Sequence, residues 1–153
     1  MKRVMFVCHG NICRSPMAEM ILKKMIAERQ LQGKIGAYSS AVSSEEIYRG
    51  QGNPIYPPAR AELKKRGVPV EEHYAVQLKK EDYGRYDLFL CMDESNLRAM
   101  HRIFGADPQD KCKKLLDLTE RGGDVADPWY TGGFDRAFDD IERGCIALLE
   151  QLR

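Results

Sequence analysis

The 153-residue chain has no apolar run near the ~20 residues needed to span a bilayer, so no membrane segment is expected. Lys2-Arg3 is followed by only four clearly apolar residues, 4–7, too few for the core of a secretory leader. A paired disulfide framework is also missing. The five cysteines are odd in number and their spacing suggests no bridges, which points to a reducing compartment with at least one thiol kept for its chemistry. The cytoplasm is the expected location. Charge of one sign is lacking too: 24 Lys and Arg face 23 Asp and Glu, a net charge of +1. Nothing in that balance supports a nucleic-acid partner. Repeats, linkers and low-complexity tracts are absent. The length suits one domain with a real core and is short for two, so residues 1–153 are expected to form a single domain.

With no global charge, any anion-binding feature must be local, and one stretch stands out. Cys8-His9-Gly10-Asn11-Ile12-Cys13-Arg14-Ser15-Pro16 directly follows the apolar run 4–7. A cysteine at the tip of a strand leads into a turn of small residues, an arginine, then Ser-Pro, a good helix start. Such a loop, closed by a helix N-terminus, is a ready-made anion site. A free thiol, with a pKa of about 8.5, is only slightly ionised at neutral pH; N–H dipoles and a guanidinium beside it favour the thiolate. Arg14 adds a planar fork for two phosphate oxygens. Gly10 permits close backbone approach, and Asn11 tolerates the left-handed conformation. A ring of donors with a nucleophile in line is what phosphoryl transfer requires. Residues 9–15 therefore form the candidate phosphate cradle and Cys8 the candidate nucleophile. Ser15 is read as a helix cap whose hydroxyl also steadies the departing thiolate.

The rest of the pattern is α/β. The run 4–7 predicts a strand buried on both faces. A helix is expected to about residue 30, then a strand over 37–42, a surface loop over 43–58, and a helix over 58–66 stopped by Gly67. A short strand is predicted at 76–78, a helical turn at 79–83, a strand at 86–92, and a helix from Asp93 to about Phe104. A last strand is predicted at 114–118 and a long loop at 122–133. Phe134, Phe138, Ile141, Cys145, Leu148 and Leu152 recur at helical spacing in a final amphipathic helix. Alternating strands and helices imply a three-layer α/β sandwich with a central, mostly parallel sheet of about four strands. Ligands then sit beyond the carboxyl ends of strands, where Cys8 lies.

Expelling an alkoxide or phenoxide needs a proton donor. Asp127 is the best candidate, in Ala126-Asp127-Pro128-Trp129-Tyr130, where the aromatics can wall a pocket for a flat ring. An ordinary Asp-Pro turn with surface aromatics is the alternative reading. His73, after two glutamates, reads from the residues alone as solvent-facing. Cys91 and Cys145 read as core, and Cys112, between lysines, as exposed.

Three blocks in order carry a family likeness: residues 7–19, Leu90-Cys91-Met92-Asp93-Glu94-Ser95-Asn96-Leu97, and Asp127-Pro128-Trp129-Tyr130. Over its whole length the chain resembles the low-molecular-weight protein-tyrosine phosphatases, in a bacterial version. The resemblance implies a four-stranded parallel sheet, no metal or other cofactor, and hydrolysis of aryl phosphates through a phosphocysteine. It implies Cys8 as nucleophile, Arg14 as phosphate ligand, and Asp127 as general acid and then base. A supporting network falls on Asn11, Ser15, Ser39 and His73, and the rim on His9, Glu45, Trp129 and Tyr130. Glu45 departs from the aromatic of several relatives; an acid there repels phosphate and offers no stacking face. A reversible Cys8–Cys13 disulfide is implied as protection against over-oxidation. The implied partners are a tyrosine-phosphorylated protein, a cognate bacterial tyrosine kinase among the candidates, and inorganic phosphate or a similar oxyanion as product or inhibitor. A monomer is expected.

Two rivals share the fold. Arsenate reduction passes oxidation through two further cysteines on a mobile segment after the strand holding Cys91; Cys91 can serve as the first, but residues 92–111 contain no second. Phosphoarginine phosphatases carry a threonine where Ile12 stands; Ile12 offers only bulk, which favours phosphotyrosine. A non-catalytic phosphate-binding module would lack the nucleophile, the arginine or the acid, and all three are present.

Overall fold

The computed structural model describes residues 1–152. Its centre is a parallel sheet of β1 (Lys2–Cys8), β2 (Ile35–Ala41), β5 (Leu88–Cys91) and β6 (Cys112–Lys114), in the spatial order β2-β1-β5-β6. Between β2 and β5, strand β1 is covered on both faces, so Val4 to Cys8 are all buried. Val4, Phe6 and Cys8 pack toward α1 (Arg14–Glu28), α2 (Pro57–Lys65) and α5 (Phe134–Gln151). Met5 and Val7 pack on the other face with Phe89, Met100 and Phe104, the last two from α3 (Glu94–Phe104). The predicted three-layer α/β sandwich is the observed one. The chain leaves β1 toward β2 on one side and later returns to β5 on the other. The loop after β1 therefore opens at the point where strand order reverses, the natural crevice of such sheets.

Helix ends follow local chemistry. Gly67 (φ +73) closes α2, with Gly67 N–H donating to the Lys64 carbonyl (3.0 Å) and Val68 N–H to that of Leu63 (2.9 Å). The same motif ends α1, but a non-glycine residue, Gln30 (φ +56), takes the left-handed position, so that helix stops earlier than Gly33 suggests.

Four expectations need correction. The predicted strand at 76–78 is only one parallel bridge, Ala41 to Gln77, because the chain turns into a 3-10 turn at Lys80–Gly84. The predicted strand at 114–118 ends at Lys114, opposite Cys91, where β5 itself ends; Leu115–Leu118 becomes a 3-10 turn that buries Leu115 and Leu116. The 43–58 loop contains a hairpin of β3 (Ile47–Tyr48) and β4 (Gln51–Gly52), turned by Arg49 and Gly50, both at positive φ. The 122–133 loop contains one helical turn, α4 (Pro128–Thr131).

Candidate active site

At the end of β1 the chain bends sharply, with Asn11 fully buried at φ +59. Asn11 donates its backbone N–H to Cys8 Sγ (3.2 Å) and its side-chain amide to Ser15 Oγ (2.7 Å). Since Ser15 Oγ accepts that bond, its own proton is free for Cys8 Sγ, 3.0 Å away. Two donors thus converge on one sulfur, an arrangement that suits a thiolate. Ser15 does not cap α1 as expected. The helix already starts at Arg14, with Cys13 at the cap position and no side-chain cap. Pro16 still sits in the first turn, where a missing N–H costs nothing. Gly10, Ile12 and Cys13 donate no backbone N–H to a protein acceptor among the described residues, leaving these groups for an anion.

The Arg14 side chain is 3 % exposed. Its Nη1 donates to Asp93 Oδ2 (2.8 Å) and to the Val125 carbonyl (2.8 Å), and its Nη2 lies 3.4 Å from Asp127 Oδ2. Burial opposes the guanidinium charge, but Cys8, Asp93 and Asp127 more than offset it, so the group stays protonated. Asp93 is itself fixed as the N-cap of α3, with Oδ1 accepting from Asn96 N–H (2.8 Å). Asp127 is the N-cap of α4: Oδ1 accepts from Trp129 N–H (3.0 Å), which aims Oδ2 at the arginine. Pro128 pre-sets that turn.

Behind the loop, Asn11 Oδ1 accepts from Val76 N–H (3.0 Å) and lies 3.1 Å from His73 Nε2. With the Asn11 amide nitrogen already donating to Ser15, this contact assigns the proton to His73 Nε2. His73 Nδ1 lies 3.7 Å from Glu19 Oε1, which accepts from Ser39 Oγ (2.5 Å). Lys23 Nζ bridges Glu19 (2.7 Å) and Glu71 (2.6 Å). Burial pulls the His73 pKa down and outweighs the attraction of Glu19. His73 is not solvent-facing, as its local sequence suggests, but half-buried behind the loop. Ser39 reaches the loop only through Glu19 and His73.

Cys8, His9, Gly10, Ile12, Cys13, Arg14, Glu45, Glu46, Asp127, Trp129 and Tyr130 line one cavity of about 140 Å³. Every expected rim residue is among them. Tyr56, outside this lining, packs on Trp129 with ring centroids 4.6 Å apart. His9 Nε2 pairs with Glu45 Oε2 at 3.0 Å, both well exposed. Cys13 is buried, and burial together with the nearby Cys8 charge pushes its pKa up to about 12. All five cysteines are free. Cys112 is 7 % exposed, not surface-lying as expected, because β6 pairs with β5 and its side chain enters the second core. Cys91 and Cys145 are core, as expected.

No local sequence signal points to the roles of Asp93, Glu19, the Val125 carbonyl, Tyr56 or Glu46 at these positions. Asp93 and Glu19 do lie within the quoted family blocks. Their contacts join residues far apart in the chain, 79 positions for Arg14 and Asp93, and no local pattern encodes that.

The family model described as "Low molecular weight phosphotyrosine protein phosphatase" matches residues 3–153. The chain is 36 % identical over 152 residues to the low molecular weight protein-tyrosine-phosphatase YfkJ of Bacillus subtilis, covering 98 % of this chain and 95 % of the relative. It is 35 % identical over 157 residues to the human low molecular weight phosphotyrosine protein phosphatase, with the same coverages. The crystal structure of the Bacillus protein superposes with a TM-score of 0.92 at 35 % identity, covering 99 % of this chain and 94 % of that one. Vibrio vulnificus Wzb in complex with benzylphosphonate superposes with a TM-score of 0.84 at 26 % identity, covering 98 % of each chain. The matching family and the named relatives are protein-tyrosine phosphatases, a class of hydrolases. The chain belongs to the low molecular weight protein-tyrosine phosphatase family.

Proposed function

We propose that the protein hydrolyses phosphotyrosine monoesters with Cys8 as nucleophile, Arg14 as phosphate ligand and Asp127 as general acid and base. One observation carries this: the Cys8 sulfur, the Arg14 fork and the Asp127 carboxyl face a single small cavity with an aromatic wall. The Cys8 thiolate attacks phosphorus, the bond to the tyrosyl oxygen breaks, and Asp127 protonates the departing phenolate. A water then gives a proton to Asp127 and attacks phosphorus. The S–P bond breaks, phosphate leaves and the thiolate returns. Ser15, donating to the sulfur, stabilises the thiolate before attack and as a leaving group. Loop N–H groups and the free edge of Arg14 meet the equatorial oxygens, where charge spreads in the transition state. Asp93 and the Val125 carbonyl hold Arg14 in that orientation.

Trp129 and Tyr130 in the cavity lining offer aromatic surface to an aryl ring, and the Vibrio relative binds an arylmethyl phosphonate. The substrate is a tyrosine-phosphorylated protein, a bacterial tyrosine kinase being one candidate. Five unpaired thiols support the cytoplasm as its compartment. Neither rival is favoured: Cys91 donates its thiol to the Asp93 carbonyl (3.6 Å) inside the core, and Ile12 brings no hydroxyl to the cavity.

Leaving-group chemistry tests the reading. A nitrophenol departs with little help, whereas tyrosine needs a proton. Asp127→Asn therefore lowers kcat on phosphotyrosine by about 10²–10³-fold, within the usual range for a general acid, and by clearly less on nitrophenyl phosphate. An equal loss on both esters would make Asp127 structural only.

A further inference from the structure

The mouth of this cavity carries a charge that the reaction does not need. Glu45 and Glu46 line the same space that receives a phosphate dianion. They share this lining with loop residues 8–10 and 12–14 and with Trp129 and Tyr130. Glu45 has an imidazole neighbour in His9 at 3.0 Å, both side chains more than half exposed. Glu46 has no lysine, arginine or histidine partner in ion-pair range among the described residues. Its Oε1 accepts only from the Asn53 amide (3.1 Å), a neutral donor. Its stem lies against the loop: a Cβ built on Gly10 would stand 3.0 Å from Glu46 Cγ. The negative field of Glu46 reaches the loop far enough to help raise the Cys13 pKa. The nearest other cation on the hairpin, Arg49, lies over the Tyr48 ring at 5.3 Å, and Tyr48 is itself 73 % exposed.

A carboxylate in this place weakens phosphate binding unless the substrate supplies a cation to pair with it. Like charges at a contact are the repulsive half of specificity, and opposite charges the attractive half. Resting on the phosphotyrosine reading above, we propose that Glu45 and Glu46 select phosphotyrosine flanked by lysine or arginine and reject phosphotyrosine in acidic sequence. Both carboxylates stand beside the phosphate loop, so the discriminated residue is an immediate neighbour of the phosphotyrosine. Tyr130, 85 % exposed and part of the same lining, offers aromatic surface to the flanking chain. Exposed or half-exposed ion pairs are individually weak, so two of them give a preference of about tenfold rather than absolute selection.

Three phosphopeptides of one length test this, identical except for lysine, glutamine or glutamate on either side of the phosphotyrosine. The wild-type protein is expected to rank them lysine over glutamine over glutamate in kcat/KM at low ionic strength, spanning about tenfold. The span shrinks toward unity in about 0.5 M salt, where screening is short-ranged. Glu46→Gln retains the acceptor for Asn53 and should flatten the ranking. It should also lower KM for free phosphotyrosine, because the repulsion is gone; a merely structural role for Glu46 would not improve KM. The double variant Glu45→Lys, Glu46→Lys should invert the order. Equal kcat/KM on all three peptides in the wild type, or a ranking unmoved by these substitutions, overturns the proposal. Failure to hydrolyse any of the three overturns the phosphotyrosine reading itself, a result separable from loss of selectivity alone.

Discussion

Arg14 meets three acceptors at once, and the division of its nitrogens is informative. Nη1 is held by Asp93 and the Val125 carbonyl, while Nη2 faces Asp127. The first pair fixes the plane of the fork and the second leaves one side facing the cavity. Cys13 poses the opposite case, a thiol without an assigned partner beside the proposed nucleophile. Its pKa of about 12 keeps it protonated at neutral pH, and part of that rise comes from the charge on Cys8. Peroxide converts a Cys8 thiolate to the neutral sulfenic acid with release of hydroxide, which removes that contribution. Cys13 sulfur can then attack, forming the disulfide and releasing water. Mild peroxide is therefore expected to give a product two hydrogen atoms lighter in intact mass, restored by a thiol reductant that takes the two oxidising equivalents. Cys13→Ser, active when reduced, should instead inactivate irreversibly. Equal recovery of both proteins with no mass loss would exclude the mechanism.

At the scale of elements, the phosphate loop is held from behind by parts of three segments: α1 through Glu19 and Lys23, β2 through Ser39, and the 73–76 stretch through His73 and the Val76 N–H. His73 is the imidazole of this network, and burial disfavours its charged form in the folded protein. Unfolded, it takes a proton near pH 6.5. In the window just below that value the unfolded state binds more protons, so stability rises with pH there. His73 thus contributes stability that is complete above about pH 6.5 and is lost as pH falls toward its lower folded value. Urea unfolding at pH 7 and pH 5 should show a smaller pH dependence for His73→Gln than for the wild type. Identical slopes would show that His73 is proton-neutral in folding. This network also marks where local reading stops. Residues 8–16 announce their loop by themselves, since strand, small turn, arginine and Ser-Pro are contiguous. His73 looks like a surface residue because its two preceding neighbours are acidic, and only the tertiary arrangement buries it. The 3-10 turn at Leu115–Leu118 was hidden for a related reason: two consecutive leucines suit a strand, but the partner strand had already ended at Cys91. The hairpin turn Arg49-Gly50 lacks the Asn-Gly or Asp-Gly signature that would have revealed it.

At the scale of the whole molecule, the alternation of buried runs and amphipathic helices carries the layered architecture, and the reversal of strand order at β1 carries the position of the site. The final helix was legible because its apolar stripe is regular from Phe134 to Leu152. Its tight packing was not. Gly144 lies on α5 where a Cβ would stand 2.5 Å from Leu115 Cγ, and Leu115 is fully buried with little room to yield. Gly144→Ala is expected to overpack this contact at a cost of about 1–3 kcal/mol. A chain of this size loses about 2–4 °C of Tm per kcal/mol. KM for an aryl phosphate should be unchanged, since the contact is remote from the cavity. A variant as stable as the wild type would show that α5 can shift without penalty.

In the proposed reaction, phosphate passes through the sulfur at the end of β1. Rapid acid quenching of the protein during turnover of an aryl phosphate, followed by peptide mass analysis, tests it directly. One phosphoryl group is expected on the peptide containing Cys8, absent in Cys8→Ser, which should fold normally and turn over no substrate. Phosphate trapped on any other residue, or a Cys8→Ser protein that still hydrolyses the ester, would contradict it.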